Sequence, residues 1–284
     1  MGVIVISGSS GTVGRSVVGV LRSEGFRVRA LTRAGGVRPD EVSFSFTDPI
    51  TWPAAFAGAE TLFLMRPPQI GNVRRDLLPA VAAAARSGVG RVVFLSVLEA
   101  EHNPLLPHRV VEKWLDRSGL RITHLRAGNF MQNLMTVHGA DIRDRGVLTV
   151  PAGNARMSYV DARDVGAVAA RCLVEDRFSG SAYDLTGPSA ITHAEVAAIL
   201  SAVLGRPIAY THPSLPRYWR HAARVGMAMP TTVVTSVLYT LARFGVGSRV
   251  TDDIERILGR SPTDFEQFVV DHRAVWSLAE EPPR

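Results

Sequence analysis

Seven residues near the start of the chain, Gly8-Ser9-Ser10-Gly11-Thr12-Val13-Gly14, constrain the fold more than any other stretch. They follow Val3 to Ser7, a short apolar, β-branched run of the kind that forms a buried parallel strand. They precede Val13 to Leu21, where Val13, Val17, Val20 and Leu21 recur at helical spacing and Gly25 supplies a stop. Arg27 to Arg33 then alternates as a second strand would. Strand, glycine turn, helix and strand within about thirty residues make one βαβ unit.

The alternation continues. Strands are predicted over Val42–Phe46, Thr61–Met65, Arg91–Ser96 and Arg121–Leu125. Helices are predicted over Pro49–Phe56, Val73–Arg86 and His108–Asp116. Such alternation implies an α/β fold with a doubly wound, mainly parallel Rossmann sheet. After Arg126 the pattern loosens. Gly128 to Asn133 reads as a turn and a short helix, Met157–Val160 as a strand, Ala162–Leu173 as a helix, and Ala182–Thr186 as a late strand returning to the sheet edge. Thr192 with Glu195 forms a capping box for a helix to Leu204. Helical pieces follow near 216–225, 231–243, 251–258 and 263–271, with no intervening strand. We therefore expect a Rossmann domain of residues 1–128 with 157–187, and a smaller, mainly helical substrate subdomain of 129–156 with 188–284.

Composition narrows the function. The 284 residues are 46% hydrophobic and 20% charged, an ordinary globular balance with room for a sizeable core. The single cysteine, Cys172, permits no intramolecular disulfide. The opening MGVIVIS lacks a basic segment and a long apolar run, and Ile6 stands where a myristoylation site needs Ser or Thr, so the expectation is a cytoplasmic protein without a membrane partner. The net charge is +6, and Lys113 is the one lysine among 32 basic residues. The arginines are scattered, without a dense run or interleaved aromatics, which argues for a solvated basic surface and against a nucleic-acid partner. The histidines show no metal-ligand spacing and there is no G-x-S-x-G elbow, so neither a metal centre nor a serine hydrolase is expected. Asp252 and Asp253 read as the solvated first turn of a helix.

The glycine loop has a chemical meaning in this context. Glycine allows close approach of the backbone to a pyrophosphate, and the following helix offers unpaired N–H groups, here from Thr12 and Val13, with its positive dipole end. The alternative is a glycine-rich turn without a ligand. At the end of the second strand Leu31-Thr32-Arg33 carries no acid to hold a ribose 2′-hydroxyl. Arg33, with Arg38 as a possible second contact, could instead pair with a 2′-phosphate. The residues thus favour NADP(H) over NAD(H), unless Arg33 is only a surface arginine.

Several segments together resemble the NmrA-like branch of the atypical short-chain dehydrogenase/reductases, including bacterial NAD(P)H-binding proteins similar to quinone oxidoreductases and azoreductases. They are VISGSSGTVGRSVV, VRALTR, TLFLMRPPQ, VVFLSVLEAE, LRAGNFMQN, YVDARDV, YDLTGP and HAEVAAILSAVLGRPI. The resemblance covers nearly the whole chain and specifies no substrate. It implies that Gly8, Ser10, Gly11, Thr12 and Val13 hold the pyrophosphate and Arg33 the 2′-phosphate. Leu64, Met65 and Arg66 would border the adenosine ribose, Ser96 and Val97 the nicotinamide ribose, and Gly128, Asn129 and Phe130 the nicotinamide ring and substrate.

Two departures stand out. Ser45 or Phe46 occupies the place where many relatives carry an Asp near the adenine. On the helix after the fifth strand, His108 and Glu112 stand where the superfamily's Tyr-x-x-x-Lys pair falls, with Lys113 one residue out of phase. Carbonyl reduction through that pair is therefore not expected. Hydride transfer to a quinone or another conjugated acceptor asks less of the protein, because the product anion is already delocalised. His108 could act as a general acid and Ser96 could hydrogen-bond a carbonyl. Met131 and Met135 share a helical face as core or pocket lining, and Leu215–Phe244, with Tyr218, Trp219, Met227 and Met229, could roof a pocket.

The expected function is an NADPH-dependent reductase of a small aromatic or conjugated acceptor, as a monomer or homodimer. The alternatives are a non-catalytic redox-sensing regulator of the NmrA type and a tailoring reductase or isomerase of secondary metabolism.

Overall fold

A computed structural model describes residues 2–36 and 38–277 of the chain. Its strands are β1 (Val3–Ile6), β2 (Val28–Thr32), β3 (Glu41–Ser43), β4 (Ala59–Met65), β5 (Arg91–Val97), β6 (Arg121–Ala127), β7 (Asn129–Phe130), β8 (Val147–Leu148), β9 (Arg156–Val160), β10 (Ser181–Leu185), β11 (Ala190–Thr192) and β12 (Ala209–Tyr210). Seven of them form one sheet in the order β10-β6-β5-β4-β1-β2-β3, and every neighbouring pair is parallel. This is the doubly wound Rossmann order, which reverses between β1 and β4. Because both faces of such a sheet are covered, its strands are continuous apolar runs: Ile4 to Ile6, Leu62 to Leu64 and Val92 to Phe94 are all buried.

The chain divides into two compact units. The first comprises the described part of Met1–Ala127 with Ala162–Leu185 and Asp253–Ser261. The second comprises Gly128–Asp161, Thr186–Asp252 and the described part of Pro262–Arg284. In the first unit helix Thr12–Ser23 packs against helix Ala162–Val174, and Gly166 makes this possible: a Cβ there would lie 2.3 Å from Ser16 Oγ. Cys172, on the same helix, is wholly buried, and burial pushes its thiol up to about 12. The second unit has its own core, in which Met131, Leu134, Met157, Tyr159, Val196, Leu200, Phe268 and Trp276 pack together.

The termini of the early elements follow the expected signals. Gly25 takes φ +79° and closes the first helix through Gly25 N–H to Arg22 O and Phe26 N–H to Leu21 O. The capping box at Thr192 forms in full, with Glu195 N–H donating to Thr192 Oγ1 and Thr192 N–H to Glu195 Oε2. The late strand β10 pairs with β6 at the sheet edge.

Four expectations are corrected. Val73–Arg86 is two helices, Val73–Asp76 and Leu78–Arg86, because Pro79 has no N–H to continue the ladder and its ring crowds the preceding turn. Pro49–Phe56 begins as a 3-10 turn over Pro49–Thr51. The stretch after Gly128 opens with β7, which pairs in parallel with Tyr159 and Val160 of β9. The helical tail is interrupted by β12, which pairs with β8. Both missed pairings are two residues long, too short to carry an alternating pattern.

Candidate functional site

The crevice of a doubly wound sheet lies beyond the carboxyl ends of its strands, where their order reverses. Here those ends are tied together: Ser7 N–H donates to Phe63 O at 3.0 Å, and Met65 N–H donates to Ser7 Oγ at 2.9 Å. The chain then turns at Gly8, with φ +64° and Gly11 N–H bonded to Gly8 O at 2.9 Å. A Cβ on Gly8 would meet Met65 Cε at 2.1 Å, and one on Gly14 would meet Gly8 O at 2.1 Å. Ser9 is not an exposed contact point; its buried hydroxyl donates to Leu31 O at 2.7 Å and pins the loop to β2.

Helix Thr12–Ser23 starts at Gly11 with no side-chain cap and no acidic residue in its first turn. Its leading N–H groups, Thr12 and Val13 among them, are thus open to an anion. Ser10 and Thr12 are exposed beside them, while the Val13 side chain is buried and only its main chain is available. These features fit a dinucleotide pyrophosphate: a backbone cradle that a side chain at Gly8 or Gly14 would disrupt, and an uncapped helix start.

Next to the loop, a cleft of about 450 Å³ is lined by Ser9, Ser10, Arg15, Val18, Gly19, Arg22, Ala30, Thr32, Arg38 and Glu41. Arg22 is bound to Asp40, with Nε to Oδ2 at 2.9 Å. The side chains of Arg15, Arg38 and the exposed Arg33, just past the end of β2, make no hydrogen bond or ion pair among the described residues. Arg15 was missed by the sequence reading. Its signal was present, as it directly follows the third glycine. Ser45 and Phe46 lie past β3; the Ser45 hydroxyl is held by Thr47 and Phe46 packs edge-on against Phe44.

At the end of β4, Leu64 is fully buried in the core, so its side chain offers nothing to a ligand. Met65 and Arg66 are half-buried. Arg66 donates to Ile70 O at 2.7 Å and through Nε to His108 Nε2 at 3.4 Å.

The structure changes the chemistry assigned to His108 and Ser96. Burial, then the neighbouring Arg66, pull His108 down to about 4 against the opposing pull of Glu112, so the imidazole is neutral near pH 7 and accepts at Nε2. As a neutral ring it keeps one N–H, on Nδ1, and is a hydrogen-bond donor there but not a cationic acid at that pH. The Ser96 hydroxyl is buried and donates to Glu112 Oε1 at 2.7 Å, so its proton is engaged with a carboxylate in this structure. Glu112 is wholly buried, yet it takes hydrogen bonds from Arg126 Nε (3.0 Å), Arg126 Nη2 (3.1 Å) and Arg109 Nη1 (2.8 Å). Burial raises its carboxyl pKa, but the bonds from Arg126 and Ser96 outweigh this and leave it below the ordinary value. Arg126 also reaches Glu101 at 3.0 Å. This network joins a strand end to a helix fourteen residues away, and no local spacing reveals it.

In the second unit, Asn129 hydrogen-bonds the hydroxyl of the fully buried Tyr159, which lies 3.0 Å from His193 Nε2. Asn133 Nδ2 donates to Asn129 Oδ1 at 3.1 Å. Gly128 and Phe130 are half-buried. Met131 is core and Met135 packs against it. Tyr218 is buried with its hydroxyl 2.7 Å from Thr235 Oγ1, whereas Trp219 and Met229 are exposed. A cavity of about 370 Å³ is lined by Thr136, Val137, Ala140, Asp141, Val225, Met227 and Thr231. Among the described residues no group of His, Cys, Asp or Glu could hold a metal ion. Asp252 and Asp253 open helix Asp253–Leu258, and Asp253 accepts from Asp184 N–H rather than standing free in solvent.

The sheet order and the uncapped glycine loop define the chain as a dinucleotide-type Rossmann protein. The profile of the NmrA-like family matches residues 1–269, and the chain belongs to that family. It is 32% identical to the NAD(P)H azoreductase of Xenophilus azovorans, over 97% of this chain and 100% of that protein. It is 28% identical to quinone oxidoreductase 2 of Escherichia coli strain K12, over 74% and 78%. The triphenylmethane reductase of Citrobacter sp., solved with NADP(H), has the same fold, with a TM-score of 0.84 at 21% identity, covering 95% of this chain and 99% of that one. No helix among the described residues is long and apolar enough to cross a membrane.

Proposed function

We propose that the protein is an NADPH-dependent reductase of a small aromatic or conjugated acceptor such as a quinone. The observation that carries the cofactor reading is the cleft beside the uncapped helix start, lined by the unpaired Arg15 and Arg38 and lacking an acid at the end of β2. Gly8, Ser10, Gly11, Thr12 and Val13 hold the pyrophosphate through main-chain N–H groups and the two hydroxyls. Arg33, with Arg15 and Arg38, takes the 2′-phosphate, since a guanidinium fork matches phosphate oxygens. Met65, Arg66 and the main chain of Leu64 border the adenosine ribose; Ser96 and Val97 border the nicotinamide ribose. Gly128, Asn129 and Phe130 border the nicotinamide ring and the substrate.

The reduced dinucleotide supplies a hydride. The chain's own residues favour an acceptor that needs no proton from the protein: His108 is neutral and Ser96 is committed to Glu112. Similarity along the whole chain to a protein named an azoreductase, and a shorter match to a quinone oxidoreductase, support the reductase class. The test follows loss of absorbance at the reduced-nicotinamide band with a panel of quinones, azo dyes and enones. Tight NADPH binding without turnover of any of them would overturn it.

The same committed Ser96 and neutral His108 favour a second reading, a redox-sensing regulator that binds NADP(H) without turnover. Such a protein has a partner whose capture depends on the NADP+/NADPH ratio, and pull-downs indifferent to that ratio exclude it.

A further inference from the structure

Helix Met229–Ala242 is turned inside out. It buries Thr232, Thr235, Ser236 and Tyr239, and it exposes Met229, Val233, Val234, Val237, Leu238 and Leu241 as one outward stripe. Surface helices ordinarily face the other way. The inward hydroxyls are satisfied: Thr235 Oγ1 donates to Thr231 O at 2.8 Å, Ser236 Oγ to Thr232 O at 2.7 Å, and the Tyr239 hydroxyl lies 2.8 Å from His138 Nε2. The polar face therefore belongs inside, and the apolar stripe is a surface in want of a partner. Val234 is 65% exposed, Val237 55% and Phe244, just beyond the helix, 82%. An apolar patch of this continuity marks an interaction site.

Charge identifies the partner. Between Glu195 and Asp252 the chain holds six arginines and no acidic residue. On helix Leu215–Arg224, which precedes the stripe, Arg217, Arg220 and Arg224 are exposed and make no ion pair among the described residues, and Trp219 is exposed between them. Arg243 is exposed at the far end of the stripe. A second copy of the chain docked through this face would bring like charges together. An anionic bilayer meets both requirements: its headgroups attract the arginines and its acyl boundary takes the aliphatic side chains, with Trp219 suited to the interface. Nucleic acid would use the arginines but leave the aliphatic stripe uncovered. The helix spans only ~21 Å, short of a bilayer core, so it lies on the membrane and does not cross it.

We propose that helices Leu215–Arg224 and Met229–Ala242 form a docking surface for an anionic lipid bilayer, which amends the expectation of no membrane partner drawn from the sequence.

The test is flotation of the full-length protein with vesicles of phosphatidylcholine alone or mixed with phosphatidylglycerol. The protein is expected to float with the mixed vesicles, far less with pure phosphatidylcholine, and less again at high salt. Val234→Glu with Val237→Glu, both exposed positions, should abolish flotation while circular dichroism, melting temperature and NADPH affinity stay unchanged. Arg220→Gln with Arg224→Gln should weaken partition by roughly tenfold or more, since each arginine near such a surface is worth about fivefold. No flotation with the mixed vesicles at low salt overturns the proposal. So does flotation that the V234E/V237E protein retains. A dimer in sedimentation velocity that the same double variant dissociates, without vesicle binding, assigns the face to a second copy instead, and retention on RNA or DNA in place of vesicles assigns it to nucleic acid.

Discussion

Gly14 shows how a single hydrogen atom can hold a binding loop in shape. With Gly8 O 2.1 Å from where its Cβ would stand, Gly14→Ala must push the helix start away from the loop. The expected cost is about 1–3 kcal/mol of stability, typical of overpacking, with a weakened NADPH affinity. Denaturant melts and fluorescence titration measure the two effects. The sequence singles out Arg33 because an arginine stands at a strand end where an acid would hold a ribose hydroxyl. Arg15 was equally visible and went unread, since its direction depends on how the helix leaves the loop. Arg33→Asp and Arg15→Gln should each lower the preference for NADPH over NADH by roughly ten- to a hundredfold, the worth of a charge-assisted hydrogen bond. The ratio of the two dissociation constants by calorimetry is the readout, and an unchanged ratio removes that arginine from the 2′-phosphate site. His108 and Ser96 were placed correctly on their elements, but their chemistry was set by Arg66 and Glu112, which come from elsewhere in the chain.

Whole elements were easier to foresee than the contacts among them. The βα repeats carried their periods openly, and the capping box at Thr192 could be read before any coordinates. Thr192→Ala should destabilise the second unit by about 1 kcal/mol, measured as a lower urea midpoint at constant slope. Elements that went wrong did so for identifiable reasons. Pro79 was overlooked inside an alanine-rich run whose helical period continues on both sides of it. The two-residue strands β7, β8 and β12 are held by tertiary pairing alone. Helix Met229–Ala242 was found, but its amphipathic sense was not, because six hydroxyl-bearing residues among aliphatic ones leave no charged face to orient it. Its inward side is defined by Tyr239 and the threonines bonding back to the preceding turn.

At the level of the molecule, three partly or fully buried histidines link stability to acidity. His138 is drawn down to about 4, by burial and then by His221. His193 falls to about 3, by burial and then by His138 and His212. His108 falls to about 4. In the unfolded chain each titrates near 6.5. Between that value and the depressed one, the unfolded state binds protons that the native state refuses, so stability rises with pH. The contribution is complete above about pH 6.5 and is lost as pH falls toward 4 for His138 and toward 3 for His193, at roughly 3–5 kcal/mol for each of these fully buried rings. Glu112, held below its ordinary carboxylate value, adds to the same acid-side loss at lower pH. Urea midpoints measured across this range should fall steeply, and His138→Gln, which keeps a partner for Tyr239 but cannot titrate, should flatten the slope.

The one thiol of the chain has a practical bearing on a protein proposed to meet quinones, which are electrophiles that arylate cysteine. Cys172 is fully enclosed, and with its thiol pushed up to about 12 almost none of it is thiolate at neutral pH. The folded protein is thus immune by architecture to the side reaction its proposed substrates would inflict. The same enclosure makes Cys172 an internal clock: maleimide labelling should proceed only at the rate at which the first unit opens, and should slow further when NADPH is added.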